Sequence, residues 1–226
     1  MAVITLSGEL GSNSREIARA VAQTLRYELV DKHTYDGIFR QYGLTRFEDV
    51  YNSAPSFLDL LNADNLLLVS MANEIVEAVA QRGNVVIVGR AGFAALAGYA
   101  DVLHVHIQAP LAERVQRVMT RDGLSDPRAA EERVSEDDHM RRSYVQRFYN
   151  TQWDEPANFD LVIDTSAESS EQAVQRIVEA ATALDQRTVA QDARTTAQIA
   201  ADPVLADAVA EALANPLPVL PESENG

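Results

Sequence analysis

The chain has 226 residues, 46% of them hydrophobic and 23% charged, with a formal net charge of -15. That length suits one generous domain, or a domain with an appendage, and leaves room for an enzyme; the acidic balance argues against nucleic-acid and anionic-membrane partners, which recruit basic surfaces. Cysteine is absent, which excludes disulfides and thiolate metal sites, and with neither a signal-like N-terminus nor a membrane-length apolar run a cytoplasmic protein is expected.

Val3-Ile4-Thr5-Leu6 is a short apolar run that meets Gly8 and Gly11 and passes into Ile17, Ala18, Val21, Ala22 and Leu25 at helical spacing. The pattern predicts strand, glycine loop, helix. Such a loop aims backbone N–H groups at the positive end of a helix and is suited to a phosphate. Overlaid on the P-loop template GxxxxGK[ST], Gly8 takes the first glycine, Asn13 the second, Ser14 the lysine position and Arg15 the hydroxyl position. The cradle of Gly8, Gly11, Ser12, Asn13 and Ser14 is kept, but the lysine that bridges phosphates and the hydroxyl that holds Mg²⁺ are absent. An ordinary capped strand-to-helix turn is the competing reading. Of the 19 basic residues only Lys32 is a lysine, so charge on any bound phosphate must come mainly from arginines.

Tyr27 to Val30 reads as a second strand, followed by a helical stretch from about Lys32 to Tyr42. Asp31 lies at the strand's carboxyl end, where parallel sheets bind ligands; it serves equally well as a helix cap. Residues 44–63 are irregular by pattern. From Asp64 to Gly83 apolar residues recur at helical spacing, and Val85-Val86-Ile87-Val88 is a continuous run expected of a central parallel strand. Arg90, flanked by Gly89 and the Ala91-Gly92 pair at that strand's tip, is read as an anion ligand.

A short helical piece runs through Leu96, and Val102 to Ile107 forms another strand. His104 and His106 share one face of it; packing under a helix explains them better than metal ligation, since no third ligand follows at suitable spacing. Pro110 starts a helix whose Arg114, Arg117 and Arg121 form a basic stripe, broken at Asp122-Gly123. The segment from about Asp126 to Tyr149 carries Arg133, Asp137, Asp138, Arg141 and Arg142. Asp138 and Arg141 lie one turn apart and can point the same way. A solvated helix with internal ion pairs is one reading; a lid that swings arginines over transferring phosphates and excludes water is the other. Phe159 to Thr165 reads as the last strand and Glu171 to about Leu184 as the last core helix. Beyond Arg187 two Ala-rich helical pieces broken at Asp202-Pro203 lead to an end, Pro216 to Gly226, expected to be disordered. This extension carries no evident chemistry; docking on the core and self-association as a homo-oligomer are both open.

The ordered set VITLSGELGSNSREIA, VVIVGRAG, IQAPLAERVQRV, DDHMRRSYVQRFY and FDLVIDTS resembles the cytidylate kinase-like family of P-loop proteins over about residues 1–187. The resemblance implies an α/β fold, a doubly wound parallel sheet of P-loop NTPase type with helices on both faces, a helical lid and a monophosphate-binding insert near residues 32–65. It implies one kinase-like domain over 1–187, with 188–226 as helical extension and tail. It further implies ATP and Mg²⁺, and phosphoryl transfer to a nucleoside monophosphate, CMP first. Arg90 matches the arginine of the family's GRD motif, with Ala91 in place of the aspartate. Arg133, Asp138 and Arg141 match the lid's arginines and DxxR element, and Arg15 or a lid arginine would supply the lost lysine's charge. A catalytically silent nucleotide-binding or regulatory protein on the same fold is the alternative, and Ser14-Arg15 is the feature that separates the two.

Overall fold

Continuous apolar runs become the strands of a five-stranded sheet: β1 (Val3–Gly8), β2 (Glu28–Val30), β3 (Val85–Val88), β4 (Val102–Gln108) and β5 (Leu161–Asp164), in the order β2-β3-β1-β4-β5 with every pair parallel. The computed structural model describes residues 2–43, 54–55, 59, 62–190 and 192–215. The expectations for most of 44–61, which include part of the insert, and for the end at 216–226 lie outside the described residues. Strands β1, β3 and β4 are buried along nearly their whole length, as expected where helices cover both faces of a parallel sheet.

The helices supply those faces. One core joins α1 (Ser14–Leu25) and α7 (Ser170–Gln186) to Ile4, Leu6, Val86, Val105, Ile107 and Ile163 of the sheet. The other joins α2 (Lys32–Gln41) and α3 (Ala63–Arg82) to Val3, Val85 and Ile87, together with Trp153 and Tyr144. After β3 come the short α4 (Gly92–Ala95) and, beyond β4, α5 (Leu111–Asp122) and the lid helix α6 (Pro127–Tyr149). Val115 and Val118 of α5 meet Ala130 and Val134 of α6 in a separate small cluster that also takes in Leu10, so the root of α6 is seated beside the first loop.

The order places a switch point between β1 and β3. The chain leaves β1 for β2 on one side and leaves β3 for β4 on the other, and the crevice at the carboxyl ends of such a pair is where open α/β sheets bind ligands. Leu6 is registered with Val88, which brings the loop after β1 and the Gly89-Arg90 tip side by side.

The extension departs from its expected form. Among the described residues, 188–201 contain a single 3-10 turn, Thr196–Gln198, and only α8 (Pro203–Ala214) is a regular helix. Tertiary bonds claim the backbone of the first piece: Asp101 accepts from the N–H and hydroxyl of Thr196, and the Gln81 side chain donates to the Ile199 carbonyl. Ile199, Leu205 and Val209 are buried in the α2/α3 core. Leu205→Ala is therefore expected to destabilise the protein by about 2–4 kcal/mol through lost apolar contact and a residual cavity, measured by urea unfolding; a change below about 0.5 kcal/mol, the size of an ordinary surface substitution, would show that α8 is not part of the core. No helix among the described residues is long and apolar enough to cross a membrane.

Candidate active site

The loop after β1 takes its shape from three positions. A Cβ on Gly8 would lie 2.2 Å from the Cβ of Ser14, so only glycine lets the loop fold back on the helix start. Gly11 has φ +83 and a Cβ there would lie 2.7 Å from the Arg114 carbonyl oxygen. Asn13, at the template's second glycine, has φ 62 and ψ 19, a left-handed conformation that asparagine tolerates better than other residues with a side chain. The substitution thus preserves the loop's path. The Asn13 side chain makes no capping bond, which leaves the first-turn amides of α1 as the donors directed at the crevice.

Ser12 serves the loop itself. It is fully buried, and both its N–H and its hydroxyl donate to the Glu9 carbonyl, at 3.1 and 2.7 Å. From outside, Arg117 donates to the Gly11 carbonyl and to both the hydroxyl and the carbonyl of Thr165, and the Thr165 hydroxyl donates to the Ser12 carbonyl. Of the predicted basic stripe, Arg117 braces the loop, Arg121 pairs with Asp122, and Arg114 turns inward.

Arg114 is the hub of a buried ion cluster. Its two terminal nitrogens donate to the two carboxylate oxygens of Asp138 at 3.0 and 2.9 Å, and its Nε donates to the Ala109 carbonyl and lies 3.2 Å from Glu9 Oε2. Glu9 in turn accepts from the Ala109 N–H. Burial pushes the Glu9 carboxyl above its ordinary range, an effect that the Ala109 amide and the Arg114 charge only partly offset. One guanidinium thereby ties the first loop, the end of β4, helix α5 and the lid together.

Asp138 and Arg141, one turn apart on α6, take different partners. Asp138 belongs to Arg114, whereas Arg141 grips Asp137 through Nε and, at 3.2 Å, through Nη2. Partial burial raises the Asp137 carboxyl, yet Arg141 and, after it, Arg90 and Arg15 hold it below the usual range. Of these three predicted site residues, from the start of α1, the tip of β3 and the lid, Arg141 bonds the carboxylate and the other two favour its charged form at longer range. Arg90 is 4% exposed, and the strand tip that carries it is tied to β1 by the Gly89 N–H on the Leu6 carbonyl and the Ser7 hydroxyl on the Gly89 carbonyl. Arg133 lies apart from this group and pairs with Asp122 at the end of α5, 2.8 Å away. Asp31 is a helix cap: it accepts from the His33 N–H at 3.0 Å in a capping box with Thr34.

Beside Arg90 opens a small cleft between α2, α3 and the end of α6, walled by Tyr35, Val76, Tyr144 and Tyr149 with Asn73 among them. Sequence pattern marked none of these as functional, because Tyr35 and Val76 look like core positions and Tyr144 and Tyr149 like lid surface. The histidines of β4 lie under the site. His104 Nδ1 is 2.7 Å from the Thr5 hydroxyl. His106 is 2% exposed, packs edge-on against Trp153 and against Phe159, and neither ring nitrogen has a hydrogen-bond partner among the described residues. Burial pushes its pKa down to about 4, with Arg141 and Arg114 adding to the effect and Asp154 opposing it. A depressed histidine contributes stability that is present above its unfolded pKa and is lost as the pH falls through the folded one. Between the reference value of 6.5 and about 4, that loss amounts to about 3 kcal/mol. His106→Phe is expected to flatten this part of the stability–pH profile; an unchanged slope would mean that other groups carry it.

A parallel sheet of this order, with a glycine loop feeding a helix at its switch point, defines an α/β protein of P-loop NTPase type. The chain belongs to the cytidylate kinase-like family, whose sequence profile matches residues 3–167. It is 30% identical over 177 residues to the cytidylate kinase of Ignicoccus hospitalis, covering 78% of this chain and 97% of that one. With the cytidylate kinase of Pyrobaculum arsenaticum it shares 31% over 177 residues, 77% of this chain and 89% of that one. It is also 32% identical over 152 residues, 67% of this chain, to the uronate isomerase of Corynebacterium glutamicum, of whose length it spans only 28%. Among solved structures, an uncharacterized protein from Eubacterium ventriosum superposes with a TM-score of 0.64 at 22% identity over 82% of this chain and 99% of that one. A Thermus thermophilus protein gives 0.50 at 17% identity over 83% and 98%.

Proposed function

We propose that the protein transfers the γ-phosphoryl group of ATP to a nucleoside monophosphate, with CMP as the acceptor. The observation that carries this reading is the buried Arg90 at the tip of β3, tied through Gly89 to β1 directly before the left-handed glycine loop, because phosphoryl transfer asks a protein chiefly for positioning and for positive charge around the moving group. In this reading the donor phosphates lie on the first-turn amides of α1, with Gly8, Gly11 and Asn13 giving the loop room and Ser14 at the lysine position. Arg90 holds the acceptor phosphate, Arg15 and Arg141 neutralise charge on the transferring group, and α6 keeps water out. The acceptor's phosphate oxygen attacks in line, the bond to the donor's bridging oxygen breaks, and no covalent enzyme intermediate forms. Asp138 acts through Arg114 to fix the lid's root.

For the donor nucleotide the residues fit, since the loop has the required left-handed turn and uncapped helix amides. For Mg²⁺ they fit poorly: Arg15 stands at the hydroxyl position, and no group of three or more His, Cys, Asp or Glu among the described residues forms a metal cluster. The ion would be held mainly by phosphate oxygens and water, and no step is assigned to it.

The test is to incubate the protein with ATP and CMP and quantify CDP and ADP together. Equimolar CDP and ADP formation is the expected result. A second reading, a nucleotide-binding protein without turnover, is favoured by Ser14, whose short side chain packs back on Gly8 where a lysine would reach forward. It predicts stabilisation of roughly 2.7 kcal/mol at about 100 times the dissociation constant with no CDP. A melting temperature unmoved by ATP or CMP would remove both readings.

A further inference from the structure

We propose that helix α8 is a latch: it bridges α2 and α3 and holds the cleft between them shut over Arg90, so that a phosphate-bearing ligand reaches this guanidinium only when α8 lets go. The part that concerns the ligand rests on the acceptor site lying at Arg90; the latch itself does not.

The cleft is closed in this structure. Its free volume is about 30 Å³, far below the roughly 300–1,000 Å³ of pockets that hold a small molecule. Tyr35 from α2, Tyr144 from α6 and Arg90 itself are 5%, 2% and 4% exposed. Entry of a nucleotide therefore requires the walls to part, and Tyr35 stands on one of them while Ala72 and Val76 of α3 stand on another. The sheet gives α2 little support, because the helix follows β2, an edge strand of three residues. Its buried Ile38 and Phe39 belong instead to the core that takes in Leu205 and Val209 of α8. Since α8 lies against α2 and α3 at once, the two cannot move apart without one of those contacts breaking.

The extension is built so that its second half can leave alone. Polar bonds fix the first half: the Ala100 N–H donates to the Arg194 carbonyl at 2.8 Å, the Arg194 guanidinium lies 4.4 Å from the centre of the Tyr99 ring, Thr196 donates to Asp101, and Gln81 donates to the Ile199 carbonyl at 2.7 Å. Past Ile199 the chain runs without regular structure to Asp202, whose carboxylate caps α8 from within the extension. Among the described residues no hydrogen bond or ion pair joins α8 to another element, and Leu205 and Val209 hold it by burial. Apolar contact is non-directional. Release of α8 therefore strands no buried donor or acceptor, which is the usual cost of opening a packed structure.

The test compares the full chain with Leu205→Ala, Val209→Ala and a control, Ile177→Ala, which truncates a buried side chain in the core on the opposite face of the sheet. Access to Arg90 is read as its rate of modification by phenylglyoxal, located by mass spectrometry and normalised to the exposed Arg128. Leu205→Ala should raise the Arg90 rate by about tenfold or more, and Val209→Ala by less, because the lost contact shifts a local opening equilibrium. Ile177→Ala should leave the rate within about threefold, since it weakens the whole fold and not this opening. An equal rise in all three variants, or none in the two α8 variants, would overturn the latch. Calorimetric titration of CMP into the same proteins tests the part that concerns the ligand. With the latch weakened, binding no longer has to drive the opening, and CMP should bind Leu205→Ala about tenfold more tightly than the wild type. Weaker CMP binding in that variant would make α8 a brace for the acceptor helix and overturn the proposal. No CMP binding to any of the proteins, with Arg90 modification raised in the α8 variants, would sustain the latch and remove the acceptor site instead.

Discussion

Arg114→Ala is expected to destabilise the protein by about 3–5 kcal/mol, the range for removing one member of a buried ion pair. The side chains of Arg114 and Asp138 are each 6% exposed and that of Glu9 is 11% exposed, so solvent screens the cluster little. Without the guanidinium, Asp138 and Glu9 would face one another with only the half-exposed Arg142, 4.0 Å from Asp138, as countercharge. Glu9, already pushed up by burial with Asp138 raising it further, would take up a proton at higher pH still. The variant should therefore recover stability as the medium is acidified, because a carboxylate whose folded pKa is raised contributes stability below its unfolded value and loses it as the pH rises. Arg114→Met combined with Asp138→Leu leaves Glu9 as the one stranded carboxylate and should restore part of the loss, since apolar replacements of buried pairs are often neutral or better. Urea titrations of the wild type, the single and the double variant decide the matter. A loss below about 1 kcal/mol, the range of an exposed pair, would show that the cluster is solvated in solution.

That cluster marks the boundary of what sequence made legible. The five strands were readable because a strand covered on both faces must be continuously apolar, and the helices because each buries a stripe. Gly8 and Gly11 announced a loop, and Arg90 stood out because a buried strand tip offers a guanidinium no apolar partner. The partners of the lid carboxylates were not readable. Asp137 and Asp138 are neighbours in sequence but are rotated by about 100° around a helix, so one meets Arg141 on its own helix and the other meets Arg114 on α5. Only the crossing of α5 and α6, set by the Val115, Val118, Ala130 and Val134 contact, decides which is which. The i,i+4 spacing of Asp137 and Arg141 was the available signal, and it competed with the i,i+3 spacing of Asp138 and Arg141. Arg114 was hidden in the same way: its helix pattern reads as a basic stripe able to face a pocket, and burial of one member in an ion cluster depends on a lid packed against it. The cleft at Asn73 was hidden because its walls come from three helices far apart in sequence, none with a pattern of its own.

The second large effect is expected at Arg141. If this guanidinium neutralises the transferring phosphoryl group, Arg141→Ala should lower kcat by about 10³-fold or more, the range for arginines that stabilise phosphoryl-transfer transition states, which corresponds to about 4 kcal/mol. The KM for CMP should change much less, because Arg90 anchors the acceptor. Arg141→Lys is expected to recover only part of the rate, since an ammonium keeps the charge but loses the planar fork. A structural role makes a different prediction. Arg141 also holds Asp137 and lies over the Trp153 ring, 5.6 Å from its centroid, so a purely structural arginine would lower the melting temperature and leave the kcat of the folded fraction unchanged. Asp137→Asn separates the two further. Removing the carboxylate that Arg141 binds and whose charge Arg90 and Arg15 favour leaves more positive potential for a phosphate and should tighten the binding of ATP or CMP, while a structural ion pair would show only lost stability. Steady-state kinetics and calorimetry on Arg141→Ala, Arg141→Lys and Asp137→Asn, each corrected for the folded fraction, provide the comparison. An unchanged kcat in Arg141→Ala together with weaker nucleotide binding in Asp137→Asn would assign both residues to the fold and leave the transferring phosphate to Arg15.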